Sequence, residues 1–217
     1  MSDMRYFGSY ARFSTKNKSE GALLVGADHL VGMEYSVDFV VENGKTTAWA
    51  KNRYGKNIGF FDDQVTYRLD VMRGRGWSMF AVLSAVGFTD PSDEVDEGFY
   101  WGEVALFACP PRYEEETRAF MGRVAESLIK GKRPNVDLSS SSIDAMLAAK
   151  GDWLPEQMLP TPKKEKGTAI LKSSQTLSEK LIEQGRAGNK GCYVVSYAFI
   201  AIVVVAILLI AKALLGF

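Results

Sequence analysis

His29 is the only histidine in this 217-residue chain. Any scheme in which imidazole activates a hydroxyl or thiol, or shares acid–base work, rests on that one residue. The sequence gives it no partner, so it reads as a structural group. Of the two cysteines, Cys109 closes an apolar run just before Pro110-Pro111, as a core residue would. Cys192 stands at the edge of a long apolar stretch, where a lipid chain is the modification to consider. Two cysteines make no disulfide framework. Residues 90–97 read DPSDEVDE. Ca²⁺ favours such oxygen ligands, but the order does not match an EF-hand loop, so a solvated loop is expected. Asp62 and Asp63 are explained by helix capping. The sequence thus predicts no catalytic residue, no metal ligand and no cofactor.

A second constellation is basic and aromatic. Lys51, Arg53, Tyr54, Lys56, Arg73 and Arg75 lie close in sequence, with Trp49 and Trp77 among them. Cations beside ring faces are what single-stranded nucleic acid requires. The charge balance argues the other way. Residues 1–154 hold 18 Lys+Arg against 22 Asp+Glu, a net of −4, whereas a phosphate-tracking surface carries a basic excess. Nucleic acid therefore stands as the alternative partner, behind another protein. The glycines of Gly74-Arg75-Gly76 match no phosphate-loop spacing.

The elements that position these residues follow from periodicity. Tyr35, Val37, Phe39 and Val41 alternate with more polar neighbours, as in a half-buried strand. Asn43-Gly44 supplies a two-residue hairpin turn with both φ angles positive. Residues 45–51 return, a turn at 52–55 follows, and residues 57–61 complete a three-stranded meander. Asp62 caps a helix carrying Val65, Leu69 and Met72, which Gly74 ends. Residues 77–88 and 99–109 read as strands. Pro110-Pro111 opens a helix with Glu114, Glu115 and Glu116 in its first turn and Phe120, Val124 and Leu128 as its apolar stripe. A short helix at 142–150 begins with the capping pattern Ser141-Ser142-Ile143-Asp144. Residues 1–20 give no clear period, and 14–20 (STKNKSE) read as an exposed loop. Trp153 and Leu154 dock back on the core.

Beyond Pro155 the texture changes. Residues 155–191 hold seven basic and four acidic groups and three prolines, which reads as a basic flexible linker. Leu177, Leu181 and Ile182 suit a short amphipathic helix. Residues 192–211 then run without charge, proline or glycine. Twenty helical residues span about 30 Å, the thickness of a bilayer core. Arg186 and Lys190 precede Cys192, against Lys212 beyond it, so the positive side faces the cytoplasm. Lys212 is placed to snorkel to the far interface. No apolar leader precedes residue 5.

Residues 47–84 resemble the HIRAN domain, a small barrel of OB-like character found in remodelling helicases and alone in bacterial proteins. The resemblance rests on Ala48-Trp49-Ala50, Tyr54-Gly55-Lys56, Asn57-Ile58-Gly59-Phe60, the helix that follows, and Gly74-Arg75-Gly76 leading into the next strand. Leu30-Val31-Gly32 would correspond to the family's opening strand. The nucleic-acid-binding members carry Arg-Glu-Pro and Asn-x-Tyr-Asp segments before the strand at Ala48. Here that stretch reads Val41-Glu42-Asn43-Gly44-Lys45-Thr46, so DNA-end binding does not come with the resemblance.

The expectation is an α+β domain over 1–154, built on a strongly bent antiparallel sheet or partly open barrel with two to three packed helices. A linker over 155–191 and a transmembrane helix over 192–212 follow. The function expected is that of a tail-anchored, single-pass, non-enzymatic binding module in the cytoplasm. Its partners are the lipid bilayer and another protein; the alternatives are a membrane-tethered nucleic-acid-binding module and, after that, an enzyme with an unrecognised site.

Overall fold

A computed structural model describes residues 4–91, 97–162 and 167–181. The chain is α+β with a large antiparallel sheet. Its compact body runs to Gln175, and a second unit starts at Thr176.

Six strands make up a ring: β1 (Phe7–Ser14), β2 (Glu34–Glu42), β3 (Lys45–Lys51), β4 (Asn57–Phe61), β5 (Ser78–Thr89) and β6 (Phe99–Cys109). The order is β2-β3-β4-β1-β6-β5, and a β2–β5 pairing links the two ends. That closing contact is short, Glu34 with Val82 and Tyr35 with Ala81. Asn43 and Gly44, both at positive φ, join β2 to β3 as the sequence predicts.

Alternation along the strands makes two cores. Ala11, Phe13, Ala48, Ala50, Phe61, Ala81, Leu83, Val104 and Leu106 face the inside of the ring. Alanines at 11, 48, 50 and 81 stand among larger Phe, Leu and Val side chains there. The Phe13 ring fills the middle against Gly59 and Gly102, which have no side chain to obstruct it. Phe80, Val82, Ala105, Phe107 and Cys109 face outward from β5 and β6, under α3 (Glu114–Ile129) and α4 (Ser140–Ala148). Phe120, Val124 and Leu128 are the buried stripe of α3, as their spacing predicts. α2 (Asp63–Gly74) packs Val65 and Leu69 against the ring interior.

Four local readings change. β1 and the short helix α1 (Lys18–Ala22), capped by Asn17, occupy the stretch that showed no period. Leu30-Val31-Gly32 is not a strand but a turn, with the Gly32 N–H donating to the Leu83 carbonyl at 2.8 Å. α2 ends two residues later than expected. Arg75 is its C-cap and Gly76, at φ +70, takes the left-handed position, while Trp77 N–H reaches the Met72 carbonyl at 3.1 Å. α4 is capped by Ser139, whose hydroxyl accepts from Ser142 N–H, so it begins two residues earlier.

The compact body also extends past residue 154. β7 (Arg133–Pro134) pairs with β8 (Met158–Leu159), and β9 (Thr168–Lys172) adds to the outer half of β5. Within the expected linker, Thr168–Lys172 is thus held to the large sheet and Met158–Leu159 to a separate two-stranded one. In the second unit a helix begins at Leu177. Its start is a capping box: Glu179 Oε2 accepts from Thr176 N–H at 2.9 Å, and Thr176 Oγ1 accepts from Glu179 N–H at 3.3 Å. Leu177 and Leu181 are exposed, and Ile182 lies outside the described residues. Among the described residues no helix is long and apolar enough to cross a membrane. Residues 192–211, with Arg186, Lys190 and Lys212, lie outside them.

Candidate functional site

The lone histidine sits in a loop between α1 and β2 that leads into the ring. A short 3-10 turn at Leu23–Val25 precedes it, and the His29 N–H donates to the Gly26 carbonyl. His29 is buried, with Nδ1 2.5 Å from the Tyr35 hydroxyl. Tyr35 is buried too, and burial raises its phenol well above the ordinary value, so it keeps its proton. The phenol is then the donor and Nδ1 the acceptor, which leaves the imidazole proton on Nε2. Burial also lowers the His29 pKa. Asp28 works against that shift, whereas Lys172 and Lys56 add to it. His29 is therefore neutral at neutral pH.

A cavity of about 320 Å³ opens beside it, lined by Asp28, His29, Asn52, Tyr54, Lys56 and Asn57 among others. Asn52 shapes this corner. Its Oδ1 accepts from the N–H groups of Tyr54 and Lys56, each at 3.0 Å, which folds the β3–β4 turn over the cavity. A second depression of about 310 Å³ is lined by Lys16, Val40, Glu42 and Trp49 and shares Glu20, Lys56 and Asn57 with the first. The two make one groove from the loop at His29 to the outer side of β2 and β3. Lys16 Nζ stands 5.1 Å from the centre of the Trp49 ring. Among the described residues lining the two depressions the hydroxyl is that of Tyr54, and Tyr35 already donates to His29 Nδ1.

The sequence-predicted cations divide between two places. Lys51 pairs with Asp38 at 2.8 Å, and that contact holds the Asp38 carboxyl below its ordinary value. Arg53 donates to the Tyr54 hydroxyl and lies 5.1 Å from its ring centre. Tyr54 is 63 % exposed, and Tyr54 and Lys56 both line the cavity with His29. Arg73 instead pairs with Asp70 at 2.5 Å and lies over Phe39. Asp38 and Phe39 are successive residues of β2, so they project to opposite faces. Lys51 and Arg73 are therefore on opposite sides of that strand, and Arg75 stays with Arg73 at the end of α2. The structure brings Lys51, Arg53, Tyr54 and Lys56 together and leaves Arg73 and Arg75 apart from them. Sequence reasoning missed Lys16, Asn52 and Asn57. The parity of Trp49 and Lys51 on one strand face was the available signal for that groove.

Two polar features lie elsewhere. Cys109 is fully buried, and burial pushes its thiol up, which suits a core residue. Glu103 and Arg133 form a buried pair on the outer side of β6, with Nη1 and Nη2 donating to the two carboxylate oxygens and Ser84 Oγ donating to Glu103 Oε1 at 2.6 Å. Ser84 occupies a bulge in β5 that turns its hydroxyl to this pair. The Tyr10 ring covers the guanidinium, 3.7 Å away. A third depression, about 380 Å³, lies at the C-terminal end of α3, lined by Arg123, Lys130, Lys132, Trp153, Leu154 and Met158 among others. No family model, curated protein or solved structure matches the chain.

Proposed function

We propose that this chain is a single-pass membrane protein whose α+β domain, on the cytoplasmic side, is a non-enzymatic binding module for a protein partner. In this reading residues 192–211 cross the bilayer as a helix. Arg186, Lys190 and Cys192 stand at the near boundary and Lys212 at the far one. The observation that carries the binding role is the groove beside His29. It combines exposed Tyr54 and nearby Trp49 with Lys16 and Lys56 and with Glu20, Glu42 and Asp28. Rings among charges of both signs suit a polypeptide. A phosphate backbone calls for one sign.

The test uses the full chain in detergent as bait in an extract of its own cell, beside a Tyr54→Ala/Lys56→Glu variant whose circular dichroism is unchanged. A discrete protein held by the wild type, and at least about tenfold less by the variant, is the expected result. Equal retention by both would sink the proposal.

A second reading, a membrane-tethered HIRAN-like module that binds nucleic acid, draws on Lys16 over Trp49 with Lys56 in the same depression. The ring of six strands suits an OB-like shell. Titrating single-stranded DNA at roughly 50 and 200 mM salt tests it, since phosphate contacts make affinity fall steeply with salt. Absence of binding at the lower salt rules it out, and loss on Arg53→Ala supports it.

A further inference from the structure

We infer that the corner of the domain at the end of α3, carrying Lys130, Lys132 and Met158, docks on the headgroups of an anionic bilayer. This rests on the membrane reading above and adds a surface to it.

The corner is built by the way α3 stops. Lys130 is the C-cap, Gly131 takes the left-handed position at φ +77, and Lys132 N–H returns to the Ser127 carbonyl at 3.0 Å. That turn projects the two lysines on either side of one glycine, and both are exposed. Neither makes an ion pair among the described residues. Arg123, in the same depression, is committed to Asp152 at 2.5 Å and Glu126 at 3.0 Å. Arg123, Lys130 and Lys132 stand against Glu126 and Asp152, so this depression keeps a net of +1 on a domain that is net acidic. Met158 is 45 % exposed, and Trp153 and Leu154 are half-buried beside it. Lysine stems with a thioether and an indole suit the boundary between headgroup and acyl chain.

The path of the chain selects a bilayer over other anions. The compact body ends at Gln175, whose N–H donates to the Ile129 carbonyl at 3.2 Å, next to Lys130. The chain therefore leaves the domain at this corner. The apolar run begins seventeen residues later, at Cys192, which is at most about 60 Å of chain. A tether of that length turns weak docking into an intramolecular event at high effective concentration. Each lysine near an anionic leaflet favours the docked state about fivefold, so the two together contribute about 25-fold, lost at high salt.

The full chain is reconstituted in phosphatidylcholine vesicles with and without phosphatidylserine, and Met158 oxidation is followed by hydroxyl-radical footprinting. The proposal expects oxidation about threefold slower or more on the anionic vesicles, reversed by high salt and absent in Lys130→Glu/Lys132→Glu. Equal oxidation on both vesicle types, or equal protection in the variant, overturns it. Alkaline carbonate extraction of the same vesicles reads the anchor separately. Extracted chain that had shown anionic protection keeps the docking surface and removes the anchor. Resistant chain without protection removes the docking surface alone, and extracted chain without protection removes both. A single-stranded DNA arm on neutral vesicles completes the test: protection by DNA but not by anionic lipid assigns the corner to nucleic acid and overturns the proposal.

Discussion

The ring of Phe13 on β1 occupies the space that a side chain on Gly102 of β6 would need. A Cβ built on Gly102 falls 2.1 Å from Phe13 Cζ, and one on Gly59 of β4 falls 2.4 Å from Cδ2 of the same ring. The neighbours of Phe13 across both its strand pairings lie in the closed ring, so it has nowhere to retreat. Gly102→Ala is expected to cost about 3 kcal/mol, the upper end of overpacking in a filled core. Gly102→Ala combined with Phe13→Leu should recover part of that loss. Urea unfolding of the full chain in detergent checks both. A single variant within about 0.5 kcal/mol of wild type would show that the interior has more room than this geometry allows.

His29 gives stability a pH dependence of defined sign. Burial lowers its pKa in the folded chain, so the unfolded chain takes up the proton first as pH falls. The contribution is fully present above the unfolded value of about 6.5 and is lost as pH drops from there toward the folded value. Wild type should therefore lose stability between about pH 7.5 and 5.5 by more than His29→Gln does. The variant keeps an acceptor for the Tyr35 hydroxyl but cannot titrate. Parallel slopes for the two proteins would exclude His29 as the source.

How much of this was legible in the sequence depends on whether one face or two faces of an element are buried. The β2–β3 hairpin was readable because Asn43-Gly44 marks the turn and the strand residues alternate. β1 was not, because Ala11 and Phe13 face the ring interior while Tyr10 packs on the outer core, so a polar face is largely missing. α1 has five residues and one buried glycine, too little for a helical period. β9 has the short pattern Thr-Ala-Ile-Leu-Lys inside a lysine-rich stretch, and its strand character comes from the β5 edge it pairs with. The groove draws on residues near positions 16–29, 40–42 and 49–58. Its basic and aromatic members could be named from sequence. Trp49 and Lys51 share a strand face by parity, but that Lys16, Glu20 and the His29 loop lie beside that face was not legible, because it depends on how the ring closes.

The buried pair of Glu103 and Arg133 makes a different demand. Their side chains are only 7 % and 13 % exposed, and Arg133 Nε is buried with no hydrogen-bond partner. Removing one member leaves a charge without its counterion in an apolar layer, which costs about 3–5 kcal/mol. Arg133→Met should fall in that range. Glu103→Leu/Arg133→Met should be much closer to wild type, because two apolar groups of similar volume need no solvation. Unfolding midpoints of the two variants decide it, and a double variant no better than the single one would show that the pair orders the β5 bulge as well as neutralising itself.

Lys150 closes α4 in the left-handed region, at φ +52, where an L side chain is strained. The turn itself is well made: Lys150 N–H reaches the Leu147 carbonyl at 3.0 Å and Gly151 N–H reaches Met146 at 2.9 Å. This is the position at which helices most often place glycine. Lys150→Gly should therefore stabilise the chain by about 1 kcal/mol, since it removes the Cβ clash and keeps both bonds. The next residue behaves oppositely. Gly151 also has positive φ, and a Cβ there would stand 2.2 Å from the Glu116 carbonyl oxygen on α3. Gly151→Ala should cost about 2 kcal/mol or more and loosen α4 from α3. Thermal unfolding of the two variants should move the midpoint in opposite directions. If Lys150→Gly leaves it unchanged or lowers it, the lysine side chain contributes more at this corner than its backbone strain costs.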